Sequence, residues 1–360
     1  MCAKYPSHRL RLSSAKDAGV TLMNEIGVDP GIDHIAAVKI INEVHSDGGK
    51  IISFTSWCGG LPAPDTIEGN PLKYKFSWSP RGVLMATSNT AKYLWNGEIK
   101  AIEPQNLMAS AFDLNLHPEF QFDGYPNRDS TPYVADYHIP EAKTVLRGTL
   151  RYKGYCNLMH HLRKLGLFDA TERAELKSRT TPLPWNQLLA DLIGAKSSSE
   201  QDLTAAILSK LDLTAPQHAQ MGEHIVASCK WFGLFGEEKA TIRTGSVLDA
   251  FSDLLQSKMQ YKSGEKDMIF LQHTFEIENK DGSKQTRIAT LLCYGDGKED
   301  GFSSMAKTTG LPCAISTQLI LDSVITRTGV FGPMFPEMNS LIEKELEKEG
   351  IIVREQVVNH

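Results

Sequence analysis

A short apolar run, GVTLMNEI at positions 19–26, feeds straight into Gly27-Val28-Asp29-Pro30-Gly31, and no other feature of the chain constrains its fold as much. Proline fixes one backbone angle and the two glycines permit conformations closed to other residues, so the apolar run must stop there and the chain must turn. Asp33 then stands where it can cap a helix from His34 to about His45, with Ala37, Ile41 and Val44 on one face and Gly48-Gly49 as its stop. KIISFTSW at 50–57 alternates as a strand does and runs into Cys58-Gly59-Gly60-Leu61-Pro62-Ala63-Pro64, a second glycine- and proline-rich loop. Strand, loop, helix and strand in succession predict an α/β protein whose strands deliver loops to a ligand crevice.

Mixed α/β patterning continues to about Tyr152, and from Tyr155 to about Tyr261 apolar residues recur three or four apart, as in NLMHHLRKLGLF, WNQLLADLIGA and GSVLDAFSDLLQSKMQY. That stretch reads as a helical insert. Strands resume with DMIFLQHTFEIE and TRIATLLCYG around an Asn279-Lys280-Asp281-Gly282 turn, a hairpin signal. A helical stretch from Ser303 to about Val324 holds Pro312 near its middle, and LIEKELEKEG leads into a final strand, IIVREQVV. The predicted class is a mixed-sheet α/β domain with an inserted all-helical domain.

At 360 residues, 41% hydrophobic and 22% charged, the chain is long enough for two or three domains, and its net charge of -5 leaves no basic footprint for nucleic acid or an anionic membrane. A small-molecule partner fits better. The cysteines Cys2, Cys58, Cys156, Cys229, Cys293 and Cys313 form no C-x-x-C pair, which argues for a reducing compartment and against a metal. No apolar run is long enough to span a bilayer. The opening MCAKYPSHRLRL is basic and acid-free, a pattern shared with organelle transit peptides, although a ragged start explains it as well.

Several residues carry candidate chemistry, each beside a plainer alternative. Asp29, between a strand end and a Pro-Gly turn, is placed to shuttle protons if partly buried, or is one more D-P-G turn. Cys58 precedes two glycines that let a ligand approach, or is an inert buried thiol. The segment Tyr74 to Gly82 offers an aromatic wall and hydroxyls, or ordinary strand packing. Arg128, Arg147 and Arg151 suit a multiply acidic substrate, because guanidinium groups grip carboxylates bidentately, or form surface ion pairs. His160-His161 lies in an amphipathic helix and is not read as a metal site.

NEIGVDPGIDH (24–34), WCGGLPAP (57–64), YKFSWSPRGVL (74–84), YPNRDST (125–131), LRGTLRYKGY (146–155), EKDMI (265–269) and FSSMAKTTGLP (302–312) form an ordered series. In content and spacing these blocks resemble glutamate-forming saccharopine dehydrogenase, also called saccharopine reductase, from about Ser14 to the C-terminus. The resemblance implies an oxidoreductase of lysine metabolism that interconverts saccharopine with L-glutamate and L-2-aminoadipate 6-semialdehyde through an imine. Its hydride carrier would be NADP(H), or alternatively NAD(H), with no metal. By the same resemblance Asp29 and Cys58 flank the reacting carbon and nitrogen, with Asp29 the better general acid/base. Asp29, Trp78, Arg128, Thr149, Leu150 and Arg151 would surround saccharopine, and Val28, Asp29, Pro30 and Ser79 would border the cofactor. A homodimer in the cytoplasm, or alternatively the mitochondrial matrix, is implied too.

The family's organisation would make residues 1–34 a remnant of a Rossmann-type nucleotide-binding domain, 35–154 with 262–325 the catalytic domain, and 155–261 the helical insert. Residues 326–360 would return toward the nucleotide-binding domain. The early glycines Gly19, Gly27 and Gly31 do not match G-x-G-x-x-G, so the chain is expected to be N-terminally truncated relative to the family. A tyrosine that family members carry at the active site falls in the divergent stretch, and Tyr5 is not equated with it. Two other readings stand beside this one: a noncatalytic substrate-binding or dimerising fragment of the family, and a cysteine hydrolase using Cys58 and His34.

Overall fold

The computed structural model describes residues 14–172, 183–240 and 245–360; the basic opening residues and Tyr5 lie outside them. The chain runs β1 (Thr21–Met23), α1 (Ile32–Ser46), β2 (Lys50–Pro62), α2 (Pro80–Ala86), β3 (Ala91–Trp95), β4 (Glu98–Ile102), β5 (Phe112–His117), β6 (Phe120–Pro126), α3 (Tyr133–Asp136) and β7 (Thr144–Tyr152). Helices α4 (Tyr155–Lys164), α5 (Trp185–Ile193), α6 (Glu200–Lys210), α7 (Ala219–Phe232) and α8 (Val247–Lys258) follow. The rest is β8 (Asp267–Glu278), β9 (Lys284–Tyr294), α9 (Ser304–Leu321), β10 (Gly329–Phe331), α10 (Pro336–Lys348) and β11 (Arg354–Asn359).

The main sheet has the order β11-β9-β8-β2-β7-β3-β4, with β6 also on β7 and β5 on β6. Strands β2 and β7 run parallel, whereas β8 pairs antiparallel with both β2 and β9, so the sheet is mixed. β1 and β10 form a separate parallel pair. Strand alternation sorts the apolar residues into two faces. Phe54, Val145, Phe275 and Ile277 face α1, while Trp57, Leu61, Leu146, Leu150, Met268 and Phe270 join the core of the α4–α8 helices. α9 and α10 close a third apolar cluster with Ile35, Cys58 and Leu271.

Two local expectations change. The Gly59-Gly60 segment is strand rather than loop: β2 continues to Pro62, with Gly59 opposite Phe270 and Gly60 opposite Ile269 of β8. The glycines serve close packing there, since a Cβ on Gly59 would lie 2.9 Å from Leu150 Cβ and one on Gly60 would lie 2.5 Å from Met305 Cε. Asp33 does not cap a helix beginning at His34; α1 opens at Ile32 without a side-chain cap, and Asp33 sits inside its first turn.

Candidate active site

The 27–31 loop is tied to itself and to α1. Gly27 N–H donates to Pro30 O at 3.0 Å, Ile32 N–H to Gly27 O at 2.9 Å and Asp33 N–H to Val28 O at 3.1 Å. Gly31 has φ 152°, and a Cβ there would fall 2.0 Å from Gly27 O, so only glycine closes this loop. The closure puts Asp29 and Asp33 over the sheet.

Beneath them two rows of side chains cross three strands. Register aligns Arg147 of β7 with Ser56 of β2 and His273 of β8, and the next row aligns Thr149, Cys58 and Leu271. One nitrogen of Arg147, Nη2, donates to Oδ1 of Asp29 and, at 2.5 Å, to Oδ2 of Asp33. Asp33 is fully buried; its Oδ1 accepts from Gly31 N–H at 2.6 Å, and its carbonyl accepts from His273 Nε2 at 3.0 Å. The Arg147 guanidinium also lies 4.3 Å from the Tyr133 ring centre. Buried His34 places Nδ1 2.7 Å from the Tyr137 hydroxyl and Nε2 3.2 Å from Glu25 Oε2.

Two carboxylates on one guanidinium nitrogen cannot both be fully neutralised, and their proton affinities separate. Burial, reinforced by Asp33, pushes Asp29 above the usual carboxylate range although Arg147 pulls the other way. Burial works to raise Asp33 as well, but His34, Arg147 and the Gly31 amide outweigh it and hold Asp33 below that range. The two acids therefore differ in proton affinity, Asp29 above the ordinary carboxylate range and Asp33 below it. Burial, then the charge of Asp29, pushes the Cys58 thiol well up, which excludes a thiolate nucleophile near neutral pH. Burial drives His273 down to about 4, so it is neutral and donates to the Asp33 carbonyl.

The residues expected at the site divide into groups. Asp29, Cys58 and Thr149 meet here, with buried Val28 and exposed Pro30 completing the loop. Trp78 is half exposed on the neighbouring segment, where Ser77 Oγ lies 3.8 Å from the Cβ position of Gly60. Ser79 caps α2, its Oγ accepting from Gly82 N–H at 3.2 Å. Arg128 is exposed after β6 with φ 52°. Leu150 points to the opposite face, buried in the core beneath Gly59. Arg151 is buried, with its guanidinium 4.8, 5.4 and 6.0 Å from the ring centres of Tyr74, Tyr155 and Tyr125. Its Nη1 donates to Leu150 O at 2.7 Å, and its Nε has no partner. Among the described residues no carboxylate pairs with it.

Asp33 and the tyrosines Tyr133 and Tyr137 are members that sequence reasoning did not assign to the site, and Arg147, expected to meet substrate carboxylates, instead pairs with Asp29 and Asp33. The signal for Arg147 was present in the alternation Arg147, Thr149, Arg151 along one strand. For Asp33 it was its closeness to Asp29 across a Pro-Gly closure, which turns the loop back so that both carboxylates reach Arg147.

The Saccharopine dehydrogenase C-terminal domain matches residues 27–351, a span that holds the loop, both rows and the helices above them. The chain belongs to the saccharopine dehydrogenase family. It is 46% identical over 347 residues to saccharopine dehydrogenase [NADP(+), L-glutamate-forming] of Pyricularia oryzae, covering 96% of this chain and 75% of that protein. The Saccharomyces cerevisiae protein of the same name is 48% identical over 342 residues, covering 95% of this chain and 74% of its own. Mitochondrial alpha-aminoadipic semialdehyde synthase of Bos taurus is 41% identical over 345 residues, which are 95% of this chain and 36% of that larger protein. The solved apo saccharopine dehydrogenase (L-Glu forming) from Saccharomyces cerevisiae superposes with a TM-score of 0.89 at 47% identity, over 98% of this chain and 78% of that one. This family member therefore has the mixed α/β fold of the solved enzyme, and it spans about three quarters of the length of its fungal relatives. Among the described residues no helix is long and apolar enough to cross a membrane, and no cluster of three His, Cys, Asp or Glu side chains is placed to hold a metal ion.

Proposed function

We propose that the chain acts as a glutamate-forming saccharopine dehydrogenase, interconverting saccharopine with L-glutamate and L-2-aminoadipate 6-semialdehyde. The observation that carries this is the split pair of aspartates, of which Asp29 alone is partly open to solvent, its side chain 18% exposed. Forming and breaking the carbon–nitrogen bond moves protons on nitrogen and on the departing water. A carboxyl whose proton affinity is raised toward neutrality suits both directions. Asp29 is the general acid/base, and neutral Cys58 packs beside it and donates to its carboxylate. Arg128 and Arg151 receive substrate carboxylates; the tyrosine-lined surroundings of Arg151, without a carboxylate among the described residues, support that role, because a buried charge favours a partner.

NADP(H), when bound, supplies the hydride that reduces the imine carbon. Val28, Asp29, Pro30 and Ser79 would border its nicotinamide end. The amides opening α1 are taken, Gly31 N–H by Asp33 and Ile32 N–H by Gly27 O, so that helix does not cradle a pyrophosphate. The second reading is a chain that binds saccharopine without turning it over. The cysteines among the described residues are all free, which suits a reducing compartment, for which we propose the cytoplasm; sedimentation tests the proposed homodimer.

The test is to titrate purified protein with saccharopine by calorimetry, then to follow NADPH absorbance with saccharopine and NADP+, for the native chain and Asp29→Asn. Turnover that Asp29→Asn reduces at least about 100-fold, the scale of one positioned acid/base, supports the proposal. Saccharopine binding without turnover supports the second reading, and the absence of any saccharopine binding overturns both.

A further inference from the structure

We propose that Asp33 is a positioning residue for Asp29: by occupying the same guanidinium nitrogen, it keeps Arg147 from neutralising Asp29 and leaves Asp29 able to accept and release a proton. This rests on the reading of Asp29 as the acid/base.

The geometry supports the division of labour. Asp33 is sealed from solvent, so it touches neither substrate nor cofactor. It is immobilised through side chain and backbone alike, by Gly31 N–H at 2.6 Å, by Val28 O accepting its own N–H at 3.1 Å, and by His273 Nε2 at 3.0 Å. Arg147 is held in turn against the Tyr133 ring, and only Nη2 reaches the two acids. From Arg147, Asp29 therefore draws one shared nitrogen and no bidentate grip, whereas an unshared fork would hold it permanently ionised.

Every element around the pair contributes to the balance. Asp33 and His34 face Asp29 from α1, Arg147 from β7 and Cys58 from β2, while Tyr133 and Tyr137 act from α3 and its end, Glu25 from the loop before α1 and His273 from β8. Glu25 pairs with His34, which leaves Asp29 and Asp33 to share Arg147; of these two, Asp33 is sealed and Asp29 is 18% exposed, so Asp29 is the one that exchanges its proton.

Carboxyl-labelled aspartate in the full chain, followed by carbon NMR against pH, tests this directly, the Asp29 signal being identified by its loss in Asp29→Asn. In the native chain Asp29 should titrate above the free-aspartate value of about 3.9 while Asp33 stays ionised through that range. In Asp33→Asn the Asp29 midpoint should fall by at least about 1 unit, a tenfold loss of proton affinity, since one neighbouring charge is worth roughly 1–3 units. The acid limb of kcat should fall with it at unchanged KM for saccharopine, a shift that a merely structural defect would not produce. An Asp29 midpoint that stays put in Asp33→Asn overturns the proposal. Should that variant fail to fold, coincident Asp29 and Asp33 midpoints in the native chain overturn it equally. Undiminished turnover in Asp29→Asn would instead sink the acid/base reading, so the two failures are separable.

Discussion

Replacing Arg147 by glutamine tests the energetics of the site most severely. The side chain is 11% exposed, and it is the cation that Asp29 and fully buried Asp33 share, so its loss leaves two carboxylates facing each other without a counter-charge. Removing one partner of a buried ion pair typically costs about 3–5 kcal/mol, because the remaining charge stays desolvated. Burial opposes the charge on Arg147, but Asp33 and Asp29 more than compensate and hold it firmly protonated, so no pH change within the protein's range mimics the substitution. The pH dependence has a definite sign. Asp33 is depressed in the folded state and contributes stability above its unfolded value, stability that is lost as pH falls through the folded value. Asp29 is raised, so its contribution is present below its unfolded value and is lost as pH rises through its folded value. In Arg147→Gln both acids shift upward, the deficit accumulates as pH rises through the shifted range, and it shrinks once both are protonated. Urea unfolding followed by tryptophan fluorescence near pH 7 and near pH 4 should therefore show a deficit of about 3 kcal/mol or more at the higher pH and a smaller one at the lower. Equal stability near neutrality, or a deficit that grows on acidification, would refute the reasoning.

Three further outcomes follow from the same geometry. Cys58→Ser should retain turnover within about tenfold, and mass spectrometry after mild alkylation near neutral pH should find Cys58 unlabelled while exposed Cys313 reacts, because burial keeps the Cys58 thiol protonated. Gly148→Ala should destabilise by about 1–3 kcal/mol in thermal or urea unfolding, since its Cβ would meet Cζ3 of buried Trp57 at 2.2 Å; an unchanged midpoint would count against that contact. Arg151→Met should weaken saccharopine binding by calorimetry at least about tenfold while costing little stability, as a buried cation without a carboxylate partner stabilises the free protein poorly; tight binding retained would remove Arg151 from the substrate site.

Much of the fold was legible because periodicity reports burial. The alternation in β8 and β9, the Asn279-Lys280-Asp281-Gly282 turn and the three-to-four spacing through the 155–261 stretch all show in the structure as hairpin and helices. Gly59-Gly60 misled because glycine in a sequence marks a turn and close packing equally, and only Leu150 and Met305, distant in the chain, decide between them. The site was legible in part. Asp29 and Cys58 stood out through their turn-forming neighbours, whereas Asp33 looked like a helix cap. Its partners Arg147, His273 and Gly31 come from a strand 114 residues away, another 240 away, and a loop closure that no local pattern encodes. Arg147 and Arg151 share one strand and one periodicity. What separates them is the surroundings, carboxylates for the first and tyrosine rings for the second, and these are tertiary.

That separation bears on how the strand works. Arg147 and Arg151 stand four residues apart on β7 with Thr149 between them, and Thr149 lies opposite Cys58. If Asp29 exchanges protons above Cys58, the strand has a guanidinium paired with carboxylates on one side of the reacting position and, on the other, one that among the described residues has no carboxylate partner. The paired cation is fixed by its two acids and cannot be recruited by a substrate carboxylate without exposing Asp33, which is sealed; the other loses no such partner when an acid arrives. Under the proposed function, a tricarboxylate would be drawn toward Arg151 and kept off Arg147, its orientation along β7 set by which arginine is already paired with acids. Both arginines stand on the same sheet strand, and the 27–31 loop that carries Asp29 is itself tied to α1 and to Arg147, so under the proposed function the spacing between the carboxylate anchor and the proton-exchanging acid would be set by the sheet.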